Sequence, residues 1–250
     1  MRATESRLVR DITRLTRRHA EGPLRRVLRA GASLVSADEA PDRALSARRD
    51  AQLHVSTGRR VAVVGVGGGA GASSTSVLLA QSLARSRGGG VALVGGAEAG
   101  ALRWLNGQAG PRGPLTVLDE ELDGALGTTV TEVSRTHGVT VVDCGTSLPL
   151  AQTITPHVLV LVARHTVRGL EQLDRTTRAV GQRQRVVPVL REVPDSGISL
   201  FLRRVDQRLR LPHDRHVAGE AGLSLDLVSE PTRLAVDDLA GTVVRSAVGA

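Results

Sequence analysis

The sequence contains no lysine and no tyrosine; all 33 residues counted as lysine or arginine are arginine. Without lysine, a Schiff base, a lysine general base and a lysine that grips phosphate are all excluded. Aromatic rings are almost missing, with Trp104 and Phe201 the whole stock in 250 residues. That scarcity disfavours recognition of single-stranded nucleic acid by stacking, which needs several aromatic platforms. Cys144 is the single cysteine, so no intramolecular disulfide can form and a zinc site would need other ligands. A reducing, intracellular setting is the simplest expectation. No run approaches the roughly 20 apolar residues that span a bilayer. The arginine-rich start lacks the apolar core of a signal peptide. The expectation is a cytoplasmic protein, with peripheral contact to a membrane left open.

What is present suffices for a core: 41% of residues are apolar and 23% charged. The length suits one globular domain with an extension, or two small domains. The net charge of +8 is unevenly spread. Residues 1–36 hold nine arginines against three acids, with Leu8, Ile12, Leu15 and then Leu24, Val27, Leu28 at helical spacing on either side of Gly22-Pro23. This reads as a basic amphipathic helical extension. Its apolar edge either packs on the main domain, or the arm docks on an acidic partner, DNA or an anionic membrane. Residues 37–58 read as a linker with a short helix from Asp38 to about Leu53.

From residue 59 to 250 the texture is that of an α/β domain. Valine-rich runs at 60–65, 91–94, 139–143, 157–163 and 185–190 alternate with helical stretches at 73–87, 166–180 and 231–248. Phe201, Val205 and Leu209, four apart, predict a further helix. Apolar runs without polar alternation indicate strands covered on both faces, and strand–helix alternation indicates a doubly wound, mainly parallel sheet. Between the first run and the first helix lies a glycine loop, residues 66–75, containing Gly67, Gly68, Gly69, Gly71, Ser73, Ser74 and Thr75. Glycines let backbone amides converge on an anion, and the following helix adds its positive end. Strand, glycine loop and helix in that order are the setting of a phosphate-binding loop.

These residues resemble the MinD/ParA family of deviant P-loop ATPases, whose loop reads Lys-Gly-Gly-x-Gly-Lys-Thr with one extra early lysine. Gly68, Gly69 and Gly71 match, and Ser73 falls where the family binds Mg²⁺. Gly67 and Ala72 stand where the two lysines belong. The acids that end the family's second strand are replaced by Gly95, Gly96, Ala97 and Glu98. The segment 138–149 matches the third strand and its switch loop, with Asp143 retained as the residual switch aspartate. Arg191 falls at the adenine-contacting asparagine. Residues 211–217 look like a Leu-Pro-Tyr-Asp-Arg-His-Leu stretch of actinobacterial relatives, some of them associated with type VII secretion loci.

The resemblance implies a P-loop NTPase fold and a nucleotide site at Gly68, Gly69, Gly71, Ala72, Ser73, Ser74 and Arg191, with Mg²⁺ on Ser73. It also implies ATP or ADP as cofactor, a protein partner and a homodimer. Removing one partner of a buried charge pair costs about 2–5 kcal/mol. The missing lysines and aspartates therefore imply that nucleotide is held weakly or not at all, and that efficient hydrolysis is absent. Arg103, nine residues beyond Val94, is either a replacement cation or an ordinary surface arginine.

Other groups carry plainer readings. His213, Asp214 and His216 invite a metal, but His-x-x-His on a strand points its rings to opposite faces. Cys144 beside Asp143 reads as packing. The acids Asp119, Glu120, Glu121 and Asp123 read as a solvated helix start. Three functions stand open: a degenerate regulatory, positioning or secretion-linked scaffold, an active nucleotide-switched ATPase, and a basic adaptor working through residues 1–36.

Overall fold

The computed structural model describes residues 40–55, 58–87, 90–96, 102, 115–118, 126–182, 184–194, 208–219 and 222–249. The basic extension 1–36, Glu98, Arg103, the acids at 119–123, and Phe201 and Val205 lie outside these residues.

Among the described residues seven strands form one sheet: β1 (Arg59–Gly65), β2 (Val91–Gly95), β3 (Leu115–Leu118), β4 (Val139–Asp143), β5 (Val158–Arg164), β6 (Val186–Arg191) and β7 (Leu209–Leu211). Their order is β3-β2-β4-β1-β5-β6-β7, and every neighbouring pair is parallel. The helices are α1 (Ala40–Ala51), α2 (Ala72–Arg87), α3 (Leu126–Thr136), α4 (Leu148–Thr153), α5 (Val167–Val180), α6 (Arg215–Ala218) and α7 (Glu230–Val248). The expected doubly wound parallel fold is the one observed.

Strand alternation explains why both faces need cover. Val61, Val63, Val139, Val141, Val160 and Val162 share a core with residues of α2 and α7. Their neighbours Ala62, Val64, Val142, Leu159 and Leu161 share a second core with α3, α4 and α5 on the opposite face. The helices start where the sequence supplies caps. Thr166 Oγ1 accepts the Gly169 amide at 3.0 Å to open α5, and Ser147 Oγ accepts the Leu150 amide at 3.3 Å to open α4.

The helix within 37–58 is docked on the domain. At Gly241 of α7 a side chain would begin 2.7 Å from the Ala47 carbonyl oxygen, so the absence of Cβ lets α1 lie against α7. Arg87 donates through Nη1 to the Ala51 and Leu53 carbonyls at 2.8 and 3.0 Å, at the C-terminus of α1, where a cation suits the dipole. On the same face Ser82 donates to Asp237 Oδ1 at 2.6 Å, tying α2 to α7 through a buried polar pair.

The structure corrects two local expectations. Leu209 belongs to a strand, not a helix: it pairs with Val189 of β6 at the sheet edge. A three-residue strand is too short to display its own period, so fourfold spacing with upstream residues was misleading. For the same reason His213 and His216 do not share a strand. β7 ends at Leu211, and His216 lies on α6.

Candidate phosphate-binding site

β1 lies between β4 and β5, and the carboxyl ends of these strands meet at one edge. The chain leaves β1 toward β2 on one side and leaves β5 toward β6 on the other. That reversal makes the edge beside β1 the ligand crevice expected of an open parallel sheet. The glycine loop sits there. Val66 N donates to the Val162 carbonyl at 2.9 Å as the strand ends. Ala70 N closes a turn on the Gly67 carbonyl at 3.2 Å, and Thr75 N donates to the Gly71 carbonyl at 2.9 Å as α2 begins. The first amides of α2 have no intrahelical acceptor, so they and the helix dipole favour an anion in the loop.

Two of the glycines are required. Gly69 has φ +65° and Gly71 φ +89°, a left-handed region that side chains strain to adopt. Both are also approached closely. A Cβ on Gly71 would collide with the guanidinium of Arg191, whose Cζ would lie 3.0 Å away, and one on Gly69 would collide with that of Arg164, with Cζ 3.3 Å away. Arg164 Nε donates to the Gly69 carbonyl at 3.0 Å. Near Gly67, Gln172 Oε1 of α5 would be 3.1 Å from a Cβ, whereas Gly68 is exposed and has nothing within 4 Å of that position.

Register and parity bring the arginines together. Arg164 and Arg191 end β5 and β6 and are direct partners across the ladder. Each follows alternate valines of the α2-side core, Val160 and Val162 in β5 and Val187 and Val189 in β6. Both guanidinium groups therefore emerge on the face from which α2 rises. Burial lowers the pKa of Arg191, and the neighbouring Arg164 charge lowers it further. Among the described residues no carboxylate pairs with either arginine.

Asp143 ends β4 in register with Val63 and is buried; its Oδ1 accepts the Gly145 amide at 3.1 Å. It follows Val139 and Val141 of the α2-side core, hence the same face. Ala72 is buried at the first position of α2, and Ser73 and Ser74 are half-buried in its first turn. Thus the edge gathers the loop glycines, Ala72, Ser73, Ser74, Asp143 and Arg191. Sequence reasoning did not single out Arg164 or Gln172. A usable signal for Arg164 was its place at the end of an apolar run, an even number of residues beyond buried Val160 and Val162.

The other candidates have structural roles. Asp214 caps α6, its Oδ1 accepting the His216 amide at 2.9 Å, while Oδ2 accepts the Ser229 amide and hydroxyl at 2.8 and 2.7 Å. Burial alone would raise its pKa, but bonds from Ser229, Thr232 and His216 outweigh this and bring it down to about 2. His216 Nε2 accepts the Ser224 amide at 3.2 Å. Cys144 is buried, and burial, reinforced by the Asp143 charge, pushes its thiol up to about 12. Among the described residues no group of three or more His, Cys, Asp or Glu is arranged to hold a metal ion. No helix among them is long and apolar enough to cross a membrane.

The residues at this edge suit a phosphate chain: the loop is bare at Gly68, and two guanidinium groups lie against Gly69 and Gly71. For Mg²⁺, the expected group is the Ser73 hydroxyl, in the first turn of α2, with the residual switch aspartate Asp143 at the same edge.

No family sequence model matches the chain, and no curated protein matches it in sequence. Solved structures match it in fold. A ParA family ATPase from Chlorobium tepidum superposes with a TM-score of 0.59 at 15% identity, covering 74% of this chain and 98% of that one. The septum site-determining protein MinD from Pyrococcus horikoshii, complexed with Mg-ADP, gives 0.60 at 16% identity over 74% of this chain and 95% of its own. The MinC:MinD cell division complex from Aquifex aeolicus gives 0.54 at 16% identity, covering 74% and 95%. Sheet order, loop position and these superpositions agree that the chain has the fold of the MinD/ParA P-loop ATPases.

Proposed function

We propose that the chain is a catalytically degenerate MinD/ParA-like protein. It holds a nucleotide at the glycine loop and serves as a regulatory, positioning or secretion-linked scaffold instead of running an efficient hydrolysis cycle. The observation that carries this reading is a phosphate loop whose conformation is kept while its own cations are gone: Gly69 and Gly71 hold positive φ, and Ala72 is buried where a lysine would project. Loop amides and the first turn of α2 bind the phosphates, and Ser73 with Asp143 would hold Mg²⁺. ATP, when bound, supplies the phosphoanhydride that a hydrolytic cycle would break. Lysine in such loops opposes the charge that develops on the transferred phosphoryl group, and its loss costs about 2–5 kcal/mol. That is about 30-fold to several thousand-fold in rate.

The Mg-ADP bound to the similar MinD supports a nucleotide ligand, and the MinC:MinD complex supports a protein partner or a dimer. The arginine arm at 1–36 supplies a further contact, with an anionic membrane or DNA. Deleting it should abolish strongly salt-dependent binding to anionic vesicles or duplex DNA. The test of the central reading is turnover by purified protein. Magnesium-dependent hydrolysis at the rate of a lysine-bearing homologue, abolished by Ser73→Ala or Asp143→Ala, would remove it.

A second reading, an active nucleotide-switched ATPase with rewired charge, is favoured by one observation: Arg164 and Arg191 return positive charge to the loop. It requires that same turnover.

A further inference from the structure

Like charges rarely end neighbouring strands side by side without a partner, because each raises the cost of the other. Arg164 and Arg191 do so, in direct register, and among the described residues the guanidinium groups make one hydrogen bond, from Arg164 Nε to the Gly69 carbonyl. No described carboxylate neutralises them. Both press on the loop glycines with positive φ, and Arg191 is half-buried while doing so. Guanidinium is the side chain best shaped for phosphate, presenting planar pairs of N–H donors. Two of them bring the same formal charge as one divalent cation. They stand beside a helix N-terminus, the loop amides and the exposed gap at Gly68.

We infer that Arg164 and Arg191 form a guanidinium clamp for a diphosphate group, standing in for the loop lysines and supplying enough charge that binding does not require Mg²⁺. This rests on the nucleotide-binding reading above and deepens it. The charges come from the ends of β5 and β6, on the face from which α2 rises, and lie against Gly69 and Gly71 of the loop. A cation held there is set for binding a diphosphate and is not supplied by the loop itself. Gln172, against Gly67, adds an uncharged amide where the early lysine would stand.

The test is calorimetric titration of the full chain with pyrophosphate and with ADP, each in Mg²⁺ and in EDTA. The clamp predicts binding whose affinity agrees within about threefold between the two buffers. Arg191→Gln should weaken it at least about 30-fold and the more exposed Arg164→Gln about tenfold. Arg178→Gln, an exposed charge on the last turn of α5, should leave it within about threefold. Tighter binding of ADP than of pyrophosphate assigns the site to a nucleotide, and equal binding assigns it to a free diphosphate; both support the clamp. Phenylglyoxal labelling of the wild-type chain, mapped by peptide mass, needs no variant: pyrophosphate in EDTA should protect positions 164 and 191. Binding lost in EDTA overturns the clamp. So does binding unchanged or tightened by both substitutions, which would make the guanidinium groups plugs, and either outcome leaves the nucleotide reading standing. Failure of both ligands to bind in either buffer overturns the two together.

Discussion

Gly71 is where backbone conformation and charge meet. Its φ of +89° and the Arg191 guanidinium above it both forbid a side chain. Gly71→Ala should cost about 1–3 kcal/mol in urea unfolding and remove nucleotide binding in calorimetry. A variant as stable as wild type would show the loop to be otherwise shaped. Asp214 predicts an acid limb. Its carboxyl is held near 2, below its unfolded value, so its stabilisation is complete above about pH 4 and is lost as pH falls toward 2. The amount is about 2 kcal/mol, and Asp214→Asn should unfold without that portion of the pH dependence. Cys144, with its thiol near 12, should resist a disulfide reagent at pH 8 until the protein is unfolded. At this scale the glycine loop and Asp143 were legible because their residue types are tied to backbone shape and strand end. Arg164 was not, because its role comes from parity and register across two strands, neither of which one residue announces.

Among elements, the packing of α1 on α7 is the contact most exposed to test. Gly241→Val would set a branched side chain against the Ala47 backbone. It should destabilise the domain by about 1–3 kcal/mol by thermal unfolding, and hydrogen exchange in 40–51 should rise, since α1 would lose its seat. Unchanged protection there would show that α1 does not depend on this approach. The long valine runs of β1, β4 and β5 were readable because central parallel strands are apolar on both faces. The edge strands β3 and β7, with four and three residues, carry no readable period. The helix α3 was signalled only by the helix start read at 119–123, because its threonines and serine break the apolar stripe; Thr131 and Ser134 turn back onto the Gly127 and Val130 carbonyls at 2.7 and 2.6 Å.

Across the whole molecule, strand–helix alternation announced the doubly wound class, and the sheet order then fixed which strand ends share an edge. That order could not be read from the sequence, because pairing between distant strands is settled by tertiary packing. It is also what brings 66–75, 143, 164 and 191 to one edge. Under the proposed function, phosphate binding rests on the loop amides and arginines, whereas phosphoryl transfer lacks the lysines that would assist it. Equilibrium dialysis of the full chain against ATP labelled at the γ-phosphate, with Mg²⁺ present, reads both in one sample. The account predicts retained ATP on the protein with phosphate release at least about 30-fold below that of a lysine-bearing homologue. Phosphate released at the homologue's own rate, or no ATP retained at all, would contradict it.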